Sequence, residues 1–129
     1  MRVLIADGDR ALLEILQSYL WDRGHEAEIA ADALECIVML REFAPHVLVL
    51  ERELLWGGSE GVMAAMRGDS RLHQIPVILI ADKRGGPDSM VDIRLVAWLQ
   101  KPFRLSDLLG QLASASSLAQ SENKRVGAT

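Results

Sequence analysis

A chain of 129 residues, 50% hydrophobic and 25% charged, has the size of one domain able to bury a real core. Its formal charge of -4 argues against a surface that neutralises nucleic-acid phosphates, and its single cysteine excludes an internal disulfide. With no signal-peptide pattern at the N-terminus and no run near the roughly 20 apolar residues of a membrane span, the expectation is a cytoplasmic protein with neither nucleic acid nor membrane as partner.

Short apolar runs alternate with longer stretches whose apolar residues fall three and four apart, the rhythm of alternating strands and helices. The first run is Val3 to Ala6. Leu12, Leu13, Leu16, Tyr19 and Leu20 then form a helical stripe, with Asp9 placed to cap its start and Gly24 to end it. Glu26 to Ala30 reads as the second strand. Asp32 and Glu35 have capping-box spacing before a second helix running to about Phe43, where Pro45 is a stop signal. Cys36 falls on the apolar side of that helix with Ala33, Ile37 and Leu40, and is read as core.

The third strand is Val47 to Leu50. Ser59 can cap a third helix reaching about Arg67, and Ile75 to Ile80 forms the fourth strand. Gly86 and Pro87 mark the start of a short fourth helix, since proline suits the first helical position. Val96 to Leu99 is the fifth strand, and Leu105, Leu108, Leu109 and Leu112 give the fifth helix its stripe. From Ala115 onward no apolar period remains. The expectation is therefore a folded unit over residues 1–114 and a flexible C-terminal tail over 115–129, or the stump of a linker.

Five such units predict a flavodoxin-like (βα)5 fold, a doubly wound parallel sheet with strand order 2-1-3-4-5. Three of the runs lack polar alternation, as strands covered on both faces do. In sheets of this kind the chemistry collects at the carboxyl ends of the strands, near the point where the winding reverses. That directs attention to Asp7, Glu51, Ala81 and Lys101.

Ala6-Asp7-Gly8-Asp9 closes the first strand, Leu50-Glu51-Arg52-Glu53 the third, and Lys101-Pro102-Phe103 the fifth. In that order and spacing, and with Ile75-Pro76-Val77-Ile78-Leu79-Ile80 before the end of the fourth strand, the chain resembles the receiver domain of two-component response regulators from Arg2 to about Leu112. In that family two acids after the first strand and an aspartate after the third hold Mg²⁺, and the third-strand aspartate accepts a phosphoryl group from a phosphohistidine. A threonine or serine after the fourth strand and the lysine after the fifth bind its oxygens, and the Lys-Pro peptide is cis.

Carried over by position, the resemblance keeps Asp7 and Lys101 and departs at three places. Gly8 stands where the second acid belongs, Glu51 where the acceptor aspartate belongs, and Ala81 where the hydroxyl belongs. Losing a carboxylate weakens an octahedral Mg²⁺ site, and the extra methylene of Glu51 moves the nucleophile by about 1 Å, a displacement that costs on the order of 10²-fold in rate. Asp9 lies one residue late. Lys101 can also act structurally, neutralising Asp7 and Glu51.

What the resemblance implies is a degenerate, non-enzymatic pseudo-receiver of a phosphorelay that needs no cofactor and no metal. The competing readings are an Mg²⁺-dependent phosphoacceptor that uses Glu51 or Asp9, and a cofactor-binding flavodoxin-like protein. The last is disfavoured by the acidic Asp7-Gly8-Asp9 loop, since a phosphate-binding loop needs the opposite character. The implied partner is a histidine kinase, an output protein or a second copy, bound through the face of the fourth helix, fifth strand and fifth helix. Trp98 either switches with phosphorylation in the family's manner, binds a partner at that face, or simply packs at the strand end. Trp56, in the apolar loop Leu54-Leu55-Trp56-Gly57-Gly58, is a packed lid or a contact patch. His25, His46 and His73 lack metal-ligand spacing.

Overall fold

The computed structural model describes residues 1–82 and 95–127, with side chains up to residue 117. Five strands, β1 (Arg2–Ala6), β2 (Glu26–Ala30), β3 (Val47–Glu51), β4 (Val77–Ala81) and β5 (Leu95–Gln100), form one sheet in the order β2-β1-β3-β4-β5. Every pairing is parallel. The helices are α1 (Arg10–Trp21), α2 (Ala33–Phe43), α3 (Gly58–Arg67) and α4 (Leu105–Gly127), the last being the fifth helix expected from sequence. The short helix expected at Gly86 and Pro87 lies outside the described residues.

The two faces of the sheet are sorted by residue parity. Leu4, Ala6, Leu48, Leu50, Val77 and Leu79 point to one side, where Ala33, Cys36 and Leu40 of α2 and Val62, Met63 and Met66 of α3 cover them. Val3, Ile5, Val47, Val49, Ile78 and Ile80 point to the other, under Leu13, Leu16 and Leu20 of α1 and Leu108, Leu112 and Ala115 of α4. A strand with a two-residue repeat between two helical layers must be apolar at every position, which explains the unbroken runs in β1, β3 and β4.

The helix starts follow their capping residues in two cases of three. Asp9 accepts from the Leu12 N–H at 3.2 Å, and Asp32 from the Glu35 N–H at 2.8 Å. Ser59, expected to cap α3, instead lies inside that helix, and the cap is Gly57 at φ 111° with no side-chain bond. Three successive left-handed residues, Trp56, Gly57 and Gly58, turn the chain into the helix two residues early, so the serine enters the core.

Two more boundaries differ from the sequence reading. β4 begins at Val77, because Pro76 has no N–H to give the ladder and Ile75 is held in a turn by the Leu72 carbonyl. The folded unit does not end at 114. Ala115 is buried against the sheet and α4 stays helical to Gly127, across a stretch of alanine, serine, glutamine and charged residues that no proline or glycine interrupts.

Candidate functional site

Parallel strands of similar length end together, so the residues that follow β1, β3, β4 and β5 meet at one edge, beside the point where the winding reverses between β1 and β3. Asp7 follows β1 and is entirely buried; its N–H continues the ladder to the Ala30 carbonyl. Glu51 is the last residue of β3 and Ala81 the last of β4. Lys101 follows β5, tied by its N–H to the Ala81 carbonyl at 2.8 Å, and the Lys101-Pro102 peptide is cis.

The three charged side chains close on one another. The Lys101 ammonium lies 2.7 Å from Asp7 Oδ2 and 3.2 Å from Glu51 Oε1. Asp7 Oδ1 accepts from the Asp9 N–H at 2.8 Å, and Glu51 Oε2 accepts from the Gly8 N–H, also at 2.8 Å. Three of the four carboxylate oxygens thus accept a hydrogen bond within the chain, while the buried Asp7 Oδ2 meets the Lys101 ammonium as an ion pair without hydrogen-bond geometry. Burial pushes the Asp7 carboxyl above its ordinary pKa, with the Glu51 charge acting the same way, against the pull of Lys101 and the Asp9 N–H. Burial alone would lower the Lys101 pKa, but its contacts with Asp7 and Glu51 outweigh that and raise it.

The site brings together Asp7, Gly8, Glu51, Ala81 and Lys101 as sequence reasoning placed them. Gly8 has a part that reasoning did not foresee: its backbone N–H orients Glu51. The signal lay in the sequence, since a carboxylate lengthened by one methylene and a neighbour shorn of its side chain are complementary in size. Asp9 is exposed and its carboxylate caps α1, turned to the helix rather than to the ammonium. Ala81, 4% exposed, has no polar atom in its side chain.

The Mg²⁺ of the resembled family has a poor match here. Octahedral coordination at 2.0–2.1 Å needs oxygens with free lone pairs aimed at one point. Asp7 and Glu51 converge instead on an ammonium, Gly8 offers no side-chain oxygen, and among the described residues no three acidic, histidine or cysteine side chains converge on a common point. The residues present therefore do not fit the ion in this arrangement.

Beside the cluster opens a cleft of about 390 Å³ lined by Leu12, Asp82, Lys101, Pro102, Phe103 and Leu105, a feature the sequence reading did not anticipate. Trp98 is half-buried and packs against the core on the α2 and α3 side. Trp56 is 72% exposed. His25 and His46 sit near the N-terminus, where His46 Nδ1 accepts from the Arg2 N–H.

No family model matches the chain. Among curated proteins it is 27% identical over 114 residues to response regulator MprA of Mycobacterium avium, and equally to that of Mycolicibacterium paratuberculosis. The match covers 87% of this chain and 49% of each relative, so the chain spans about half the length of the curated relatives it matches. Among solved structures, the N-terminal domain of a response regulator/sensory box/GGDEF protein from Carboxydothermus hydrogenoformans superposes with a TM-score of 0.83 at 15% identity, covering 95% of this chain and 98% of that one. The signal receiver domain of a LuxO repressor protein from Vibrio parahaemolyticus gives 0.82 at 18% identity, over 95% and 94% of the two chains. Chemotaxis protein CheY4 of Vibrio cholerae gives 0.77 at 23% identity, over 88% and 97%. No helix among the described residues is long and apolar enough to cross a membrane. The solved structures establish the fold, which is that of receiver domains, and the curated relatives carry the likeness to response regulators into sequence across nearly the whole unit.

Proposed function

We propose that this chain is a receiver domain of the response-regulator type and that it signals through protein contacts without an acyl-phosphate cycle. One observation carries the reading: the side chain at the acceptor position, Glu51, is engaged at both oxygens, by the Lys101 ammonium at 3.2 Å and the Gly8 N–H at 2.8 Å. A nucleophile must present a free lone pair in line with the phosphorus, and phosphoryl transfer is catalysed almost wholly by positioning and charge neutralisation. Here the lysine that would hold phosphoryl oxygens is occupied by the two carboxylates, and Ala81 brings no hydroxyl to the transferred group.

In this reading the domain is a binding module and not an enzyme. Glu51 carries its charge one methylene farther out than an aspartate would, and its ion pair with Lys101 keeps the domain in one state. The partner is a protein of a cytoplasmic phosphorelay, a histidine kinase or an output protein, met at the face of β5 and α4, to which Trp98 contributes.

The test is incubation with a small-molecule phosphodonor and Mg²⁺, read by intact mass. The native chain should stay unmodified. The triple variant Gly8→Asp, Glu51→Asp, Ala81→Thr should gain one phosphoryl group, while the single changes do little, because such groups act as a unit. Labelling of the native chain at Glu51 or Asp9 would overturn the proposal in favour of an unorthodox phosphoacceptor.

A further inference from the structure

α2 faces the core with Ala33, Cys36 and Leu40, yet its outer side is also apolar: Leu34 is 63% exposed and Val38, one turn later, 50%. The β3–α3 loop is tied to the start of this helix, since the Ala33 N–H, which no helical carbonyl can satisfy, donates to Leu55 O at 2.9 Å. That bond brings the backbone of Leu55, 65% exposed, and with it its neighbour Trp56, 72% exposed, to the first turn of α2, which carries Leu34. Trp56 is held outward at φ 63°, a conformation a large side chain rarely adopts, followed by two glycines that are also left-handed. Strain of this kind persists only where the surroundings impose it, and it collects at functional places.

We propose that Leu34, Val38, Leu55 and Trp56 form the surface on which a second copy of this chain docks, the two α2 helices crossing antiparallel about a two-fold axis near Val38. Area and charge both support that occupant. The exposed fractions leave about 500 Å² of apolar surface on each copy, at the upper end for a monomer's largest patch, and two copies together reach about the 1,000 Å² that a specific interface needs. A two-fold axis at Val38 sets residues three before it against residues three after it on the partner. Those residues are Glu35 and Arg41, both exposed and opposite in sign, so the symmetric arrangement makes the charge pair twice. Arg41 reaches Asp69 of its own chain only at 3.8 Å with half its side chain exposed, so it can reach outward. The exposed tryptophan provides the kind of anchor that dominates such contacts. This surface is separate from β5 and α4 and from the charged cluster at Lys101.

Sedimentation of the full chain from low to high micromolar concentration should show a monomer–dimer equilibrium. Val38→Glu and Trp56→Ala should each raise the dimer dissociation constant about tenfold or more. Ile15→Glu, at an exposed apolar position of α1, should leave it unchanged. Glu35→Lys and Arg41→Glu should each weaken association, and the two together should restore it to within about threefold of the native value, because the swapped pair forms across the axis. The rescue separates docking from folding: Glu35 accepts from the Ala31 N–H at 3.4 Å and Arg41 pairs with Asp69, and neither intrachain contact is repaired by the other change. A monomer at every concentration, a dimer indifferent to Val38→Glu, or an absent rescue in a variant of native circular dichroism would overturn the proposal.

Discussion

Replacing Lys101 with methionine would remove the charge at the centre of the site while keeping most of the stem. Asp7 has no exposed surface, and the ammonium 2.7 Å from Oδ2 is the cation that compensates its charge; Oδ1 would keep only the Asp9 N–H. Removing one partner of a buried ion pair costs about 3–5 kcal/mol, because the other charge is left in a medium that solvates it poorly. The Lys101 side chain is 19% exposed, so water can reach the vacated end and the lower part of that range applies, about 3 kcal/mol. For a domain of this size that is a fall of about 10 °C in melting temperature.

The pH dependence gives the sign. The Asp7 pKa is already raised by burial and would rise further without the ammonium, so the penalty is full where Asp7 must stay ionised and shrinks as the pH falls through its folded value. Adding Asp7→Asn to the lysine variant should recover most of the loss, since an amide has no charge to strand. Urea denaturation at neutral and mildly acidic pH measures all three quantities. A penalty below about 1 kcal/mol at neutral pH, or one that acidification leaves untouched, would refute the ion-pair account, since values that small belong to surface pairs.

Other groups give checks of the core. Cys36 is buried and its thiol is pushed from 9.0 up to about 12, so the unfolded chain ionises first; stability should fall by about 1 kcal/mol per pH unit between those values, and Cys36→Ala should flatten that slope. Lys101 acts in the same direction, its contribution being full below 10.5 and lost as the pH rises through its higher folded value. Ser59 is 1% exposed and its hydroxyl has no partner among the described residues, so Ser59→Ala should be neutral or stabilising by about 1 kcal/mol in thermal unfolding.

The sheet was legible because burial on both faces writes an unbroken apolar run, and the helix stripes sort onto its two sides without ambiguity. The site was legible for the same reason: once the strand ends are known, Asp7, Glu51 and Lys101 must meet. Features set by backbone conformation were hidden. α2 stops at Ala44 in a left-handed conformation without a glycine, its carbonyl held by the Arg2 guanidinium from 42 residues away. α3 starts early through three left-handed residues, one of them a tryptophan that no propensity would place there. α4 outlasts its apolar stripe because helix formation there rests on intrinsic preference, which periodicity does not register.

Gly8 and Glu51 are best understood as one arrangement. The longer acid reaches the N–H of residue 8, and a Cβ there would lie 3.6 Å from the same oxygen, an ordinary contact that alanine would tolerate. A carboxylate at position 8 is another matter, because it would bring a third negative charge to a place where one ammonium already serves two, raising the cost of keeping any of them ionised. Shortening Glu51 alone draws its oxygens away from the Gly8 N–H and loosens the hold on Lys101. Each change taken singly therefore leaves a charge or a donor unmet, and only the combination creates a set of oxygens that a divalent cation could balance. Gly8 and Glu51 thus have a common physical basis: the longer acid reaches the N–H of residue 8 while its other oxygen shares the Lys101 ammonium with Asp7.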